Sequence, residues 1–278
     1  MAEVIRRPRV VHEIGPRPSV SLWIRELWGY RNTLIALGAR DLRSKYKQAS
    51  LGLAWAIIQP LVQVGIFTVV FAGVAHVASP VPYPLFVLAA LLPFNLFQQT
   101  VMMGTPAFVN AQGIVTKVYF PRLYTVLASS SSAIVSAAIT LVLLVCAMII
   151  YRQPITTMIW LTLPALIGIA LLSVGIASLL GAINARFRDV QHALPLLMTI
   201  LLYVSPVLYP LSAVPRRVRP FALLNPVTGL VDGFRSGIIG APPYSWELVW
   251  IALTLSACIF VAGIWFFERT QAQLIDVL

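Results

Sequence analysis

Residues 48–116 read QASLGLAWAIIQPLVQVGIFTVVFAGVAHVASPVPYPLFVLAALLPFNLFQQTVMMGTPAFVNAQGIVT, 69 consecutive positions without an Asp, Glu, Lys or Arg. A helix needs about 20 apolar residues to cross a hydrocarbon layer of roughly 30 Å. The stretch therefore holds two crossings, about 52–77 and 85–108, hinged at the prolines Pro80, Pro82 and Pro84. Four more charge-free gaps follow, from Arg122 to Arg152, Arg152 to Arg186, Asp189 to Arg216 and Glu247 to Glu268. They hold one crossing each, at about 123–150, 159–183, 193–211 and 248–267, six spans in all. Side chains do not alternate between apolar and polar with a period of two, so a membrane barrel is not supported.

Composition agrees. The 278 residues are 59% hydrophobic and 10% charged, with a mean hydropathy of +0.87. Soluble domains carry roughly 25% charged residues. The expected fold is an all-α integral membrane protein.

The net charge of +11 is unevenly placed, with ten of the 20 Lys and Arg in residues 1–50. With six spans both termini share one side; that side holds 15 of the cations and the other holds five. Cationic loops stay in the cytoplasm, so both termini are expected there, in a cytoplasmic (inner) membrane. The basic segment then meets anionic lipid rather than nucleic acid. The chain divides into a disordered basic tail, 1–20, an amphipathic helix with its lead-in, 21–50, and the membrane domain, 51–278. In the second part Trp23, Leu27, Tyr30, Leu34 and Leu37 recur at helical spacing. Such a stripe fits the membrane interface or another protein surface.

Residues 221–239 are apolar but contain Asn225, Pro226, Asp232 and Arg235. Charges at membrane depth are costly, so this segment is expected to form short re-entrant or interfacial helices before span six. Span five is expected to be irregular because of Pro195, Pro206 and Pro210.

Chemistry is bounded mostly by exclusion. The three lysines, Lys45, Lys47 and Lys117, lie in no glycine-rich phosphate loop. The histidines His12, His76 and His192 are scattered, without metal-ligand spacing. The six spans contain no carboxylate, which argues against ion coupling through a buried acid. No catalytic residue is expected, nor a metal or cofactor bound by this chain. Small residues at four-residue spacing, Ala128, Ser132, Ser136 and Thr140 in span three and Ser173, Ala177 and Gly181 in span four, read as close helix packing or as a polar lining. The loops Lys117–Arg122 and Arg186–Asp189 mix cations with Tyr119, Phe120 and Phe187. They serve as positive anchors or as partner-docking sites. The span aromatics, Trp55, Phe67, Phe71, Phe94, Phe97 and Tyr203 among them, are either packing groups or faces for sugar rings.

Several ordered motifs resemble the membrane subunit of type 2 ABC exporters of polysaccharides such as O-antigen, capsule or teichoic acid. They are Arg40-Asp41-Leu42 through Lys47, Leu51-Gly52 with Trp55, Gln59 and Pro60, Pro82 through Phe86, and Leu92-Pro93-Phe94. The series continues with Lys117-Val118-Tyr119-Phe120-Pro121-Arg122, Asn184 through Asp189, Ser205-Pro206-Val207 with Tyr209-Pro210, and Leu224-Asn225-Pro226 with Gly233-Phe234-Arg235. The resemblance implies a homodimer, a partner ATPase dimer that binds ATP and Mg, and a lipid-linked polysaccharide as cargo. It implies that Lys117–Arg122 and Arg186–Asp189 couple to the ATPase and that the stripe from Trp23 to Leu37 is the interface helix. Pro206, Tyr209, Pro210, Asn225, Pro226 and Arg235 would then belong to an outer gate, and an aromatic-lined path would run between protomers. Export of a drug or lipid, a gradient-driven carrier, a membrane transferase and a scaffold stay open on the residues alone.

Overall fold

The computed structural model describes residues 28–46, 54–115, 120–217, 219–241 and 243–275. Among them the regular structure is helix, with no strand. α1 spans Arg31–Tyr46. α2, Ala54–Phe67, runs on as a wider π turn, Thr68–Val74. α3 is Tyr83–Asn110, begun by Pro82 and Pro84 and carrying Pro93 and Pro106 inside; a proline at the first turn loses no intrahelical bond. The short α4, Gln112–Val115, follows. α5, Leu123–Ser129, and α6, Ser131–Ile150, make one crossing around Ser130. α7 is Thr162–Arg186, entered through a 3-10 turn at Ile159–Leu161. α8 is Asp189–Val204. After the short turn Leu211–Ala213 come α9, Arg219–Leu224, α10, Pro226–Ile239, and α11, Trp246–Ile275.

Among the described residues, five helical stretches are long and apolar enough to cross a membrane: Ala54–Val74, Tyr83–Asn110, Leu123–Ile150, Ile159–Arg186 and Trp246–Thr270. They fall on spans one, two, three, four and six of the sequence reading. Span five differs. The expected 193–211 is replaced by a 16-residue helix that starts at Asp189 and stops at Val204. At about 1.5 Å per residue it is roughly 24 Å long, short of a full hydrocarbon layer. It starts early because only Phe187 and Arg188 separate it from α7, and the Asp189 carboxylate suits a helix N-terminus. It stops because Ser205 precedes Pro206 and is extended (ψ 140°), the conformation that a following proline favours.

α3 is the hub. Its half from Leu85 to Phe94 is wholly buried, against Ala165, Ile169 and Leu172 of α7 and Val227, Leu230 and Phe234 of α10. Of its apolar stretch 78% is buried, against 6% for α2, so α2 is peripheral and α3 central. α7 and α11 touch backbone to backbone: a Cβ on Gly175 would lie 2.6 Å from Phe260 Cα, and one on Gly263 would strike the carbonyl of Gly175. At most positions the small-residue stripes serve packing. Ala177 and Ser173 are buried, a Cβ on Gly104 of α3 would meet that of Ala177 at 2.8 Å, and Ser136 and Thr140 donate to the carbonyls one turn back. Ala128 and Ser132 of the same stripe instead line a cavity.

Candidate functional site: a cavity at one end and a tied turn at the other

At the end of the bundle that carries α1, the apolar stripe finds its partner inside the chain. Tyr30, Leu34 and Leu37 pack with Phe120, Tyr124, Leu127 and Ala128, and Ser131 Oγ donates to Gly38 O at 3.1 Å. Trp28 and Ile35, on the other faces, stay exposed. Trp23 and Leu27 lie outside the described residues, as do Lys117, Val118 and Tyr119.

The two loops expected to dock a partner are built differently. Phe120 points inward at 4% exposure and anchors the start of α5 under α1, while Pro121 and Arg122 are half-buried. Phe187 is 58% exposed, with the Arg186 guanidinium 5.5 Å from its ring. Arg186, Arg188 and Asp189 are exposed beside it. The tight turn behind them is held by the buried Asn184, whose Oδ1 accepts from the Gln191 amide at 3.1 Å. Arg186–Asp189 therefore presents side chains outward, whereas Phe120 belongs to the chain's own packing.

Between α1, α3 and α5 lies a cavity of about 480 Å³. α1 contributes Leu37, Arg40 and Asp41, α3 contributes Met102, Met103, Pro106 and Asn110, and the third wall has Thr125, Ser129 and Ser132. Arg40 is paired with Asp41 at 2.7 Å, so the two charges at the mouth cancel.

At the opposite end the break after α8 is tied down residue by residue. Asn225 Nδ2 donates to Ser205 Oγ at 2.7 Å. Arg235 Nη2 donates to Val207 O at 2.9 Å and to Pro206 O at 3.3 Å, and Tyr83 OH donates to Leu208 O at 2.8 Å. The Tyr209 hydroxyl reaches back to Tyr203 O at 2.7 Å. Asn225 also caps α10, its Oδ1 accepting from the Val227 amide at 3.0 Å; without a cap that amide would lack a partner. Arg235 is 3% exposed, and its guanidinium sits 3.7 Å from the Phe86 ring centre. Burial pulls its pKa down to about 10, against the opposing pull of Asp232 and Tyr83. It stays cationic at neutral pH. Asp232, whose Oδ2 accepts from the Tyr244 amide at 2.8 Å, is held above the usual carboxylate range by burial, opposed by that bond and by Arg235.

The expected gate residues Pro206, Asn225 and Arg235 thus meet in one knot. Tyr209 is tied to α8, Pro210 leads into the turn Leu211–Ala213, and Pro226 starts α10. Sequence reasoning assigned no part in this knot to Tyr83, Phe86 or Ser205, although a cation in an apolar segment signals that partners must exist. α9 and α10 are six and 14 residues long, both shorter than a membrane-crossing helix needs. α10, however, is buried on nearly every side rather than lying against lipid.

The aromatics expected along the path are placed differently from one another. Phe94 and Phe97 are 0% and 2% exposed because they sit on the central helix, so they line no open surface. Trp55 and Tyr203 are exposed on α2 and α8, and Phe67 and Phe71 are half-buried, edge to face with each other at 6.1 Å.

The family model for the ABC-2 type transporter matches residues 32–239. The O-antigen export system permease protein RfbA of Myxococcus xanthus is 30% identical over 216 residues, covering 77% of this chain and 82% of that protein. The Klebsiella pneumoniae protein of the same name is 22% identical over 88% of this chain and 94% of its own length. The polysialic acid transport protein KpsM of Escherichia coli is 26% identical over 87% and 95%. A multi-pass helical bundle whose family match runs from α1 through α10 leaves one conclusion: the chain belongs to the ABC-2 type transporter family.

Proposed function

We propose that this chain is the permease subunit of an ATP-driven exporter that moves a lipid-linked polysaccharide across the cytoplasmic membrane. The observation that carries the reading is the set of relatives named for O-antigen export and polysialic acid transport, which align with 77% or more of the chain. The sequence holds no phosphate-binding lysine loop, so ATP and its Mg²⁺ bind a separate ATPase. Arg186–Asp189, facing outward, and the segment Lys117–Arg122 receive that ATPase. With 15 cations on one side and five on the other, both termini are cytoplasmic.

Two copies work together. α2 has little of its own chain around it and exposes Trp55, Val62 and Ile66 along one face, which a second protomer would cover. ATP binding draws the ATPase halves together; the inner loops pass that motion to the bundle, and a route opens between protomers. The knot around Arg235 belongs to the outer gate. Deleting the gene in a host that makes a surface polysaccharide tests the reading. Lipid-linked glycan should accumulate inside while the cell surface loses it. Unchanged surface glycan would refute it.

A further inference from the structure

α1 leans on α5 and α6, through Leu37 in the cluster with Phe120 and Tyr124 and through Gly38 against Ser131. Between it and α3 lies the cavity of about 480 Å³. A water claims about 30 Å³ and ligand pockets run from roughly 300 to 1,000 Å³, so the space suits a bound molecule rather than hydration alone. Counted from Tyr83 at the opposite end, a crossing of about 20 residues ends near Met102. The α3 wall of the cavity, Met102 to Asn110, therefore starts where hydrocarbon gives way to headgroups. Its ends differ accordingly: Met103 is exposed toward the bilayer side and Asn110 toward water.

The polar lining carries its hydrogen bonds in one sense. Thr125 Oγ1 donates to Arg122 O at 2.8 Å, Ser129 Oγ to Val126 O at 2.7 Å and Ser132 Oγ to Met103 Sδ at 2.9 Å. A hydroxyl has one proton, so toward the cavity all three can only accept. Asp41 adds a carboxylate. Its bond with Arg40 runs from Nε and Nη2 to Oδ1, at 2.9 and 2.7 Å, and takes up neither Oδ2 nor Nη1. The cavity thus offers acceptors to a cation and a guanidinium edge to an anion, with no net charge.

We infer that this cavity holds the headgroup of a zwitterionic aminophospholipid of the surrounding bilayer, of the phosphatidylethanolamine type. Its phosphate takes N–H bonds from Arg40, and its ammonium, with three donors, meets Asp41 and the hydroxyl oxygens. The acyl chains leave past Met103 into the bilayer, and the lipid fills the space that separates α1 from α3. A choline headgroup has no N–H to give to these acceptors. A glycerol headgroup leaves its net negative charge beside Asp41. A lipid diphosphate brings more negative charge still against the same carboxylate and acceptors, so the site suits a resident lipid and not an anchor of that kind. The inference rests on the membrane fold and not on the exporter reading.

The full chain, purified in detergent, tests this in micelles that hold phosphatidylethanolamine, phosphatidylcholine and phosphatidylglycerol in equal amounts, with retained lipid read by native mass spectrometry. Phosphatidylethanolamine should be retained at least ~10-fold over either of the others, the ratio that one charge-assisted hydrogen bond sets. Asp41→Asn, which keeps the side chain's shape, should erase that preference. Ala107→Phe fills the cavity without touching a polar group and should remove the bound lipid; it decides the matter if Asp41→Asn does not fold. No retained lipid, or equal retention of all three, overturns the inference, because lipid around the bundle's perimeter does not sort headgroups this way. A preference that survives both variants overturns it too, by placing the lipid elsewhere. In a second arm a lipid diphosphate is added in equal amount. It should leave phosphatidylethanolamine bound; displacement would assign the cavity to an anionic anchor and contradict the proposal.

Discussion

At the scale of single residues, Arg235 does most to fix the break after α8. Its guanidinium donates to two successive carbonyls and stacks on Phe86, a fork-and-plane geometry that lysine cannot copy. Arg235→Ala should destabilise the detergent-solubilised protein by about 3 kcal/mol, since it strands buried carbonyls and leaves a void. Arg235→Lys should recover only part of that loss, as read by thermal unfolding. Tyr83→Phe removes one buried hydrogen bond without a cavity and should cost about 1 kcal/mol. An unchanged melting temperature in Arg235→Ala would show that the knot does not hold the turn. The sequence marked Arg235 and Asp232 as misfits in an apolar segment. It could not reveal Phe86 or Tyr83 as their neighbours, because about 150 residues separate them and no local pattern encodes that contact. Nor could it show that Phe94 and Phe97 are buried on the central helix: residue type says aromatic, and only packing says which way the ring faces.

At the scale of elements, charge-free gaps located five long helices to within a few residues, because desolvating a charge is expensive everywhere in the hydrocarbon. The gap from Asp189 to Arg216 misled at both ends. A charged loop was expected where α8 begins, yet Asp189 fits a helix N-terminus, and Pro206 ended the helix rather than bending it. Glycine contacts give the sharpest forecast here. Gly263→Leu or Gly175→Val would force α7 and α11 apart at their backbones and should abolish accumulation of folded protein. Gly65→Ala and Gly73→Ala, with open space around them, should leave it unchanged. Normal yields from the first pair would mean that the two helices do not approach as described. The loops divide as their burial does. Phe120→Ala should lower stability by about 3 kcal/mol through lost packing under α1. Phe187→Ala should leave melting untouched and, on the proposed function, weaken retention of the ATPase in a pull-down.

At the scale of the whole molecule, what the sequence announced was the class, a helical multi-pass membrane protein, through 59% hydrophobic and 10% charged residues. The way α10 buries itself between α3, α7 and α11 was not legible, since an amphipathic, charge-bearing segment reads equally as interfacial. The proposed orientation makes its own forecast: a protease tag fused after Leu278 should resist digestion from outside in spheroplasts. Cleavage there would reverse the topology or add a crossing. The central claim is that this permease is driven by a separate ATPase, and one measurement addresses it directly. The tagged chain would be purified at native expression in a detergent that preserves its dimer, and its partners identified and quantified by mass spectrometry. The proposal predicts a P-loop ATPase in equal amount; a pure permease dimer with none bound would contradict it.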